Sequence, residues 1–221
     1  MSLTPAETEP LTPRDRQRLQ TRQEILDAAL AVMTQNGVAA LNLSQVARRV
    51  GLRQPSLYTY FDSRTAVYDA LFERGMTAHR DLLTAASKGT QGWAAVRAMS
   101  TATLNFTATQ PVLAQFLFSR AVPGFVPSEA AYAPSQAVQM LFSAAVADAA
   151  ESGELHPTAA TPRGVALLIA IVGGIGSQQV ANEPDTTDPT EGSYTQLIGA
   201  ALDMYATFFD PHREEEWTPW P

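Results

Sequence analysis

The chain is 221 residues long, 45% hydrophobic, and carries a net charge of −7. That length holds one large domain or two small ones, with enough apolar material for a sizeable core. The absence of cysteine excludes disulfides and thiolate metal sites and fits a reducing compartment. No apolar leader run opens the chain, and its longest apolar run, Val165 to Ile175, is well short of the ~20 residues of a membrane span. The expectation is a cytoplasmic protein with no membrane partner.

In chain order, residues 1–12 are polar and interrupted by Pro5 and Pro10, and read as a flexible arm. A first helix is expected from Pro13 to about Asn36, with Thr12 as cap, Pro13 at the first position and Gly37 as the stop. Its apolar stripe is Ile25, Ala28, Ala29 and Val32. A turn over Gly37 to Leu41 leads into Asn42 to Arg64, NLSQVARRVGLRQPSLYTYFDSR. Here Asn42 and Gln45 have the spacing of a capping box. Val46, Ala47 and Val50 give one apolar face, and Gly51 sits where a sharp stop needs positive φ. Leu52 follows as an anchor, Pro55 suits the opening of the next helix, and Leu57 and Phe61 lie four apart to pack back on the first helix. Two short helices around a tight turn make a helix-turn-helix, a motif whose second helix enters the DNA major groove.

Ser63 then caps a long helix to about Ala86, with Val67, Leu71, Ala78 and Leu82 on one side, and Lys88 to Gly92 breaks it. Helices are expected over Trp93 to Thr109 and Val112 to Ser119, with a loop at Pro123 to Pro127. Ser128 to Glu151 reads as a helix bent or started late at Pro134. Another opens at Thr161-Pro162 and runs to about Ala181. An acidic loop covers Asn182 to Gly192, and a last helix spans Tyr194 to Phe209 with a broad apolar stripe. Residues 211–221, with Glu214 to Glu216 as a solvated charge run, read as a loose tail. No convincing strand alternation or repeat is present, so the chain is all-α. The expected domains are 13–66, a three-helix DNA-binding unit, and 67–210, a larger helical ligand-binding and dimerisation domain.

The overall charge argues against nucleic acid, but its distribution reverses that. Residues 13–64 hold eight arginines against Asp15, Glu24, Asp27 and Asp62, a local balance of +4 that leaves −11 for the rest of the chain. Phosphate binding needs a local basic patch.

The ordered set Asn42, Val46-Ala47, Gly51-Leu52, Leu57-Tyr58-Thr59-Tyr60-Phe61 and Arg64 resembles the N-terminal domain of the TetR family of transcriptional regulators. The run Gln54-Pro55-Ser56-Leu57-Tyr58 is especially similar to tetracycline-repressor-like members, and the likeness covers roughly residues 21–75. Arg53 departs from the pattern, since many members carry a Ser or Thr cap there. The resemblance implies about nine helices, a variable C-terminal domain that binds a small ligand, and a four-helix dimer seam made by the last two long helices. It also implies that the long helix after Ser63 couples that domain to the reading head.

Ser44, Gln54, Pro55, Ser56, Tyr58, Thr59, Tyr60 and Arg64 are the DNA-contact candidates. Gln can pair bidentately with adenine and Ser is versatile, while Tyr58 and Arg64 are expected on phosphates. Arg14, Arg16, Arg18 and Arg22 suit either DNA backbone or a solvated face. Trp93, Phe106, Phe116, Phe118, Tyr132, Met140 and Phe142 are the ligand candidates, set in a span whose charges are Arg97, Arg120 and Glu129. Val165, Ile169, Val172, Gly176, Leu197, Ala201, Leu202 and Tyr205 are the candidates for a two-fold seam. Gly173-Gly174-x-Gly176 follows no strand, so it reads as a close helix approach rather than a phosphate loop. His79, His156 and His212 lack metal-ligand spacing. No nucleophile–base motif is present, and no cofactor or enzymatic activity is expected.

The function expected is a homodimeric, ligand-responsive regulator on palindromic double-stranded operator DNA, released by a small hydrophobic ligand. Repression is the expected mode. Activation by the same fold is the alternative, and a helical ligand carrier or enzyme is the rival from another class.

Overall fold

A computed structural model describes residues 12–213. The arm before Thr12 and the charge run Glu214 to Glu216 lie outside the described residues. Among the described residues nine α-helices follow one another: α1 (Pro13–Asn36), α2 (Leu43–Arg49), α3 (Gln54–Leu57), α4 (Arg64–Ala86), α5 (Gly92–Thr109), α6 (Pro111–Phe118), α7 (Glu129–Glu151), α8 (Pro162–Asn182) and α9 (Ile198–Phe208). Short 3-10 turns cover Val38–Ala40, Pro157–Ala160 and Thr195–Leu197. Among the described residues there is no strand. The chain divides into two compact units, Met1–Tyr68 and Asp69–Pro221, and the division falls inside α4.

In the first unit, α1 starts as its sequence dictates. Thr12 Oγ1 accepts from Asp15 N at 3.2 Å, and Pro13 occupies the first turn, where its missing N–H costs nothing. Gly37 ends the helix at φ 93. The stripe Ile25, Ala28, Ala29, Val32 is buried, joined by Leu26 and Met33. α2 packs on α1, and α3 packs on α2.

The capping box forms by half. Asn42 Oδ1 accepts from Ser44 N at 3.0 Å and Gln45 N at 3.2 Å. Gln45, instead of turning back to Asn42, accepts from Asn36 Nδ2 at 2.8 Å. That bond ties the end of α1 to the start of α2.

The second unit is a helical bundle in which α5 packs against α6, α7, α8 and α9. Met99, Leu104, Val146, Leu168, Leu202 and Phe209 are among its fully enclosed residues. Four expectations shift here. The buried face of α4 is Leu71, Phe72, Gly75, Met76, His79 and Leu83, while Ala78 and Leu82 are exposed. The expected stripe keeps the helical period, but the buried face is rotated from it towards Phe72, Met76, His79 and Leu83.

α7 begins at Glu129 and runs through Pro134 without a late start. Its first turn is doubly held. Ala131 N donates to Ser128 Oγ at 3.2 Å, and Ser128 N and Oγ both donate to the Asp69 carboxylate at 2.7 and 2.6 Å. These bonds offset the one that Pro134 removes.

The last helix is shorter than Tyr194 to Phe209. Tyr194 N and Thr195 N donate to Gln179 Oε1 at 3.3 and 3.4 Å, and Thr195 Oγ1 donates to Pro189 O at 2.6 Å. The chain is pinned to α8 there, so a 3-10 turn precedes α9.

α8 is long and apolar enough by length and composition to cross a membrane, more than the run Val165 to Ile175 suggests. Here it is a packed bundle helix. Gly164, Val165, Leu168, Val172, Gly176 and Gln179 form its buried stripe. A Cβ on Gly176 would meet Thr107 Cγ2 at 3.3 Å and Leu104 Cδ2 at 3.4 Å. Gly176 thus lets α8 lie close on α5, while a Cβ on Gly173 or Gly174 would meet nothing within 4 Å among the described residues.

Candidate nucleic-acid interface and ligand cavity

The turn between α2 and α3 is built from backbone bonds that need Gly51. Gly51 takes φ 71, which a residue with a Cβ adopts only at a cost, and Leu52 N then donates to Ala47 O at 2.8 Å. Arg53 gives no side-chain cap, and regular α3 is only four residues long. It is extended by two tighter bonds, Thr59 N to Ser56 O at 3.2 Å and Tyr60 N to Leu57 O at 2.9 Å. Leu57 and Phe61 are sealed beneath. With these two inward, the intervening polar residues face out. Ser44, Gln54, Pro55, Ser56, Thr59 and Arg64 are exposed, Tyr58 is 43% exposed, and Tyr60 is half-buried. Ser44 Oγ donates to Gln54 Oε1 at 2.6 Å, so the first turns of α2 and α3 are joined through two candidate side chains.

Two α1 arginines grip the end of this segment. Arg18 donates to Thr59 O at 3.2 Å. Arg22 donates to Tyr60 O and lies over the Phe61 ring, 4.2 Å from its centroid. Each thereby satisfies a carbonyl at the C-terminal end of the recognition segment, where cations are favoured. From sequence these arginines suited only DNA backbone or solvent; spacing alone does not reveal a partner some forty residues on. Arg14 and Arg16 are exposed.

The second unit holds an open cavity of about 450 Å³. Phe72 of α4, Phe116 and Phe118 of α6, Phe125 of the following loop and Tyr132 of α7 supply its rings, with Arg120 and Glu129 as its charges. The rings interlock. Phe72 meets Phe116 edge-on at 6.1 Å and stacks on Tyr132 at 6.3 Å, and Phe116 stacks on Phe125 at 5.7 Å.

Of the seven ligand candidates, Phe116, Phe118 and Tyr132 line this cavity, and the other four do not. Trp93 stacks on Tyr205 at 5.7 Å. Phe142 belongs to the bundle core, Phe106 is buried against His79, and Met140 is 66% exposed. Phe72 and Phe125 were missed. Phe125 had a signal: an apolar loop bounded by Pro123 and Pro127 is unusual.

The seam candidates also divide. Val165, Val172, Gly176, Leu202 and Tyr205 are buried within the single chain. Tyr205 donates its hydroxyl to Gly164 O at 3.0 Å, and burial raises its pKa. Ile169 and Leu197 are exposed and Ala201 is half-buried. Met204 and Phe208 are exposed as well.

A three-helix unit with a glycine turn, an enclosed anchor and an outward polar row defines a helix-turn-helix domain. Residues 25–71 match the family described as bacterial regulatory proteins, tetR family. The chain carries the TetR-family N-terminal domain. It is 32% identical over 80 residues to the class D tetracycline repressor of Escherichia coli, a match spanning 36% of this chain and 37% of that repressor. Just over a third of the curated relative's length is therefore matched. The whole fold is shared more widely. The fatty acid degradation regulator FadR of Bacillus halodurans superposes with a TM-score of 0.70 at 14% identity, covering 90% of this chain and 97% of that one. FadR of Bacillus subtilis in complex with stearoyl-CoA gives 0.67 at 15%, covering 84% and 97%.

Proposed function

We propose that this protein is a DNA-binding transcriptional regulator, acting in the cytoplasm as a homodimer on a two-fold operator and released from it by a hydrophobic small molecule. Repression follows most simply, since a protein occupying a promoter blocks it. The observation that carries the reading is the outward row Ser44, Gln54, Ser56, Tyr58, Thr59 and Arg64 on an enclosed Leu57–Phe61 anchor. It lies within a segment of charge +4 in a chain of −7. In this reading Gln54 and Ser56 meet base edges, and Tyr58 and Arg64 meet phosphates. Pro55 and Tyr60 frame that surface.

The aromatic cavity supports the ligand, being mostly apolar with few polar groups. FadR of Bacillus subtilis, a protein of the same fold, forms a complex with stearoyl-CoA. The exposed apolar side chains Ile169, Leu197, Met204 and Phe208 on and beside α8 and α9 support a seam between two copies, because such a face is costly to leave wet. Ala201 borders it. The buried Val165, Val172, Gly176, Leu202 and Tyr205 hold the bundle beneath.

Promoter-fragment binding titrated against salt tests the reading. Tyr58→Ala and Arg64→Ala each weaken binding to all sequences, and Arg64→Ala, which removes a cation, also lowers the log–log salt slope by about 1. Gln54→Ala instead relaxes base preference, at about 1–3 kcal/mol for a bidentate contact. Salt-insensitive binding, or variants indistinguishable from wild type, would overturn the assignment.

A further inference from the structure

Inside the second unit, α4 and α5 bring an imidazole and a hydroxyl together away from water. His79 is 2% exposed, and its Nε2 lies 3.1 Å from Thr103 Oγ1. Thr103 Oγ1 donates its single proton to the Met99 carbonyl at 3.0 Å. Towards the imidazole it can then only accept. Nε2 therefore carries the ring proton, and Nδ1 is a bare lone pair. Burial alone lowers the pKa of His79 to about 4, so the ring is neutral at pH 7 and Nδ1 remains an acceptor. Nδ1 is enclosed and has no hydrogen-bond partner among the described residues. A buried acceptor left without a donor is costly, and such an atom points to a role beyond packing.

The surroundings connect this atom to the cavity. The imidazole lies 5.2 Å from the Phe106 ring and 5.1 Å from the Phe118 ring. Phe118 is shared, since the same side chain lines the cavity. It is the last residue of α6 and is 43% exposed, so its ring has open space to turn into. The cavity's own charges are poor anchors. Arg120 and Glu129 are both exposed and of opposite sign, so water screens each of them.

We propose that the ligand is an apolar molecule bearing one hydrogen-bond donor, an alcohol or phenol, whose O–H donates to His79 Nδ1 once the Phe118 ring turns aside. This rests on the ligand-responsive reading above and adds the polar anchor and the chemical class. An ether of the same shape, or a carboxylate ionised at neutral pH, offers lone pairs to a lone pair and is refused at this atom. Nε2 stays bonded to Thr103, which fixes the ring plane and the tautomer, so the site discriminates by the presence of a donor.

Calorimetric titration with para-propylphenol and its methyl ether, para-propylanisole, tests this on the full-length protein. The two share an apolar body and differ in the donor. Wild type binds the phenol about tenfold more tightly, the equivalent of one net hydrogen bond, and His79→Phe binds both equally. Should His79→Phe fail to fold, nitrogen-15 spectra of the wild-type imidazoles serve instead. The Nδ1 resonance of His79 shifts upfield with the phenol and not with the ether. Equal affinities in wild type, a preference that survives in His79→Phe, or an unmoved Nδ1 resonance overturns the anchor and leaves the apolar cavity standing. Binding of neither compound overturns the hydrophobic-ligand reading and the anchor with it.

Discussion

Acidification should unfold this protein through His79. Its folded pKa is about 4 against an ordinary 6.5, and burial is the sole cause. Between those values the unfolded chain holds a proton that the folded chain refuses. Stability therefore rises with pH across the window and is lost as pH falls through it. The contribution is complete above about pH 6.5 and exhausted near pH 4, where the folded ring also protonates. A gap of roughly 2.5 units at 1.36 kcal/mol each comes to about 3 kcal/mol. That is a large share of the roughly 5–15 kcal/mol of a typical domain. Urea denaturation followed by circular dichroism, at fixed protein concentration and stepped pH, measures it. His79→Phe cannot titrate, so the difference between wild type and variant isolates this group from the carboxylates. That difference should fall by about 3 kcal/mol from neutral pH to about pH 4. A pH-independent difference would refute the argument that burial keeps the ring neutral.

Arg22→Ala should lower DNA affinity through the recognition segment, because it frees the Tyr60 carbonyl and uncovers Phe61. The loss should exceed that for Arg14→Ala in the same binding assay. Arg22→Lys should restore little, since an ammonium cannot lie flat on a ring while donating sideways. The two faces of α9 should separate stability from association. Leu202→Ala, at a residue 1% exposed, should cost about 2–5 kcal/mol in thermal or chemical unfolding. Met204→Asp, at a residue 73% exposed, should leave the fold intact and yield monomers by analytical ultracentrifugation.

The helix-turn-helix unit was legible because its signals are local. Thr12, Asn42, Gly51 and Ser63 act on backbone groups within a few residues, and Leu57 and Phe61 show their burial by a four-residue spacing. The second unit was less legible because its determinants are distant in sequence. The start of α7 depends on Asp69, fifty-nine residues away. The delayed start of α9 depends on Gln179. The cavity was half visible for the same reason. Phe116, Phe118 and Tyr132 stood out by composition, but Phe72 joins them only through packing. Leu202 and Tyr205 fell on an apolar stripe, and a stripe cannot say whether it faces its own bundle or a second copy. His79 was weighed only as a metal ligand; its tautomer follows from where Thr103 sends its proton.

Selection from random duplex DNA by the full-length protein tests the central claim most directly. The account predicts an enriched two-fold symmetric site with half-sites about one helical turn, roughly 34–36 Å, apart or a multiple of it, and no enrichment by the Tyr58→Ala/Arg64→Ala double variant. A pool that stays random under wild-type protein would contradict it.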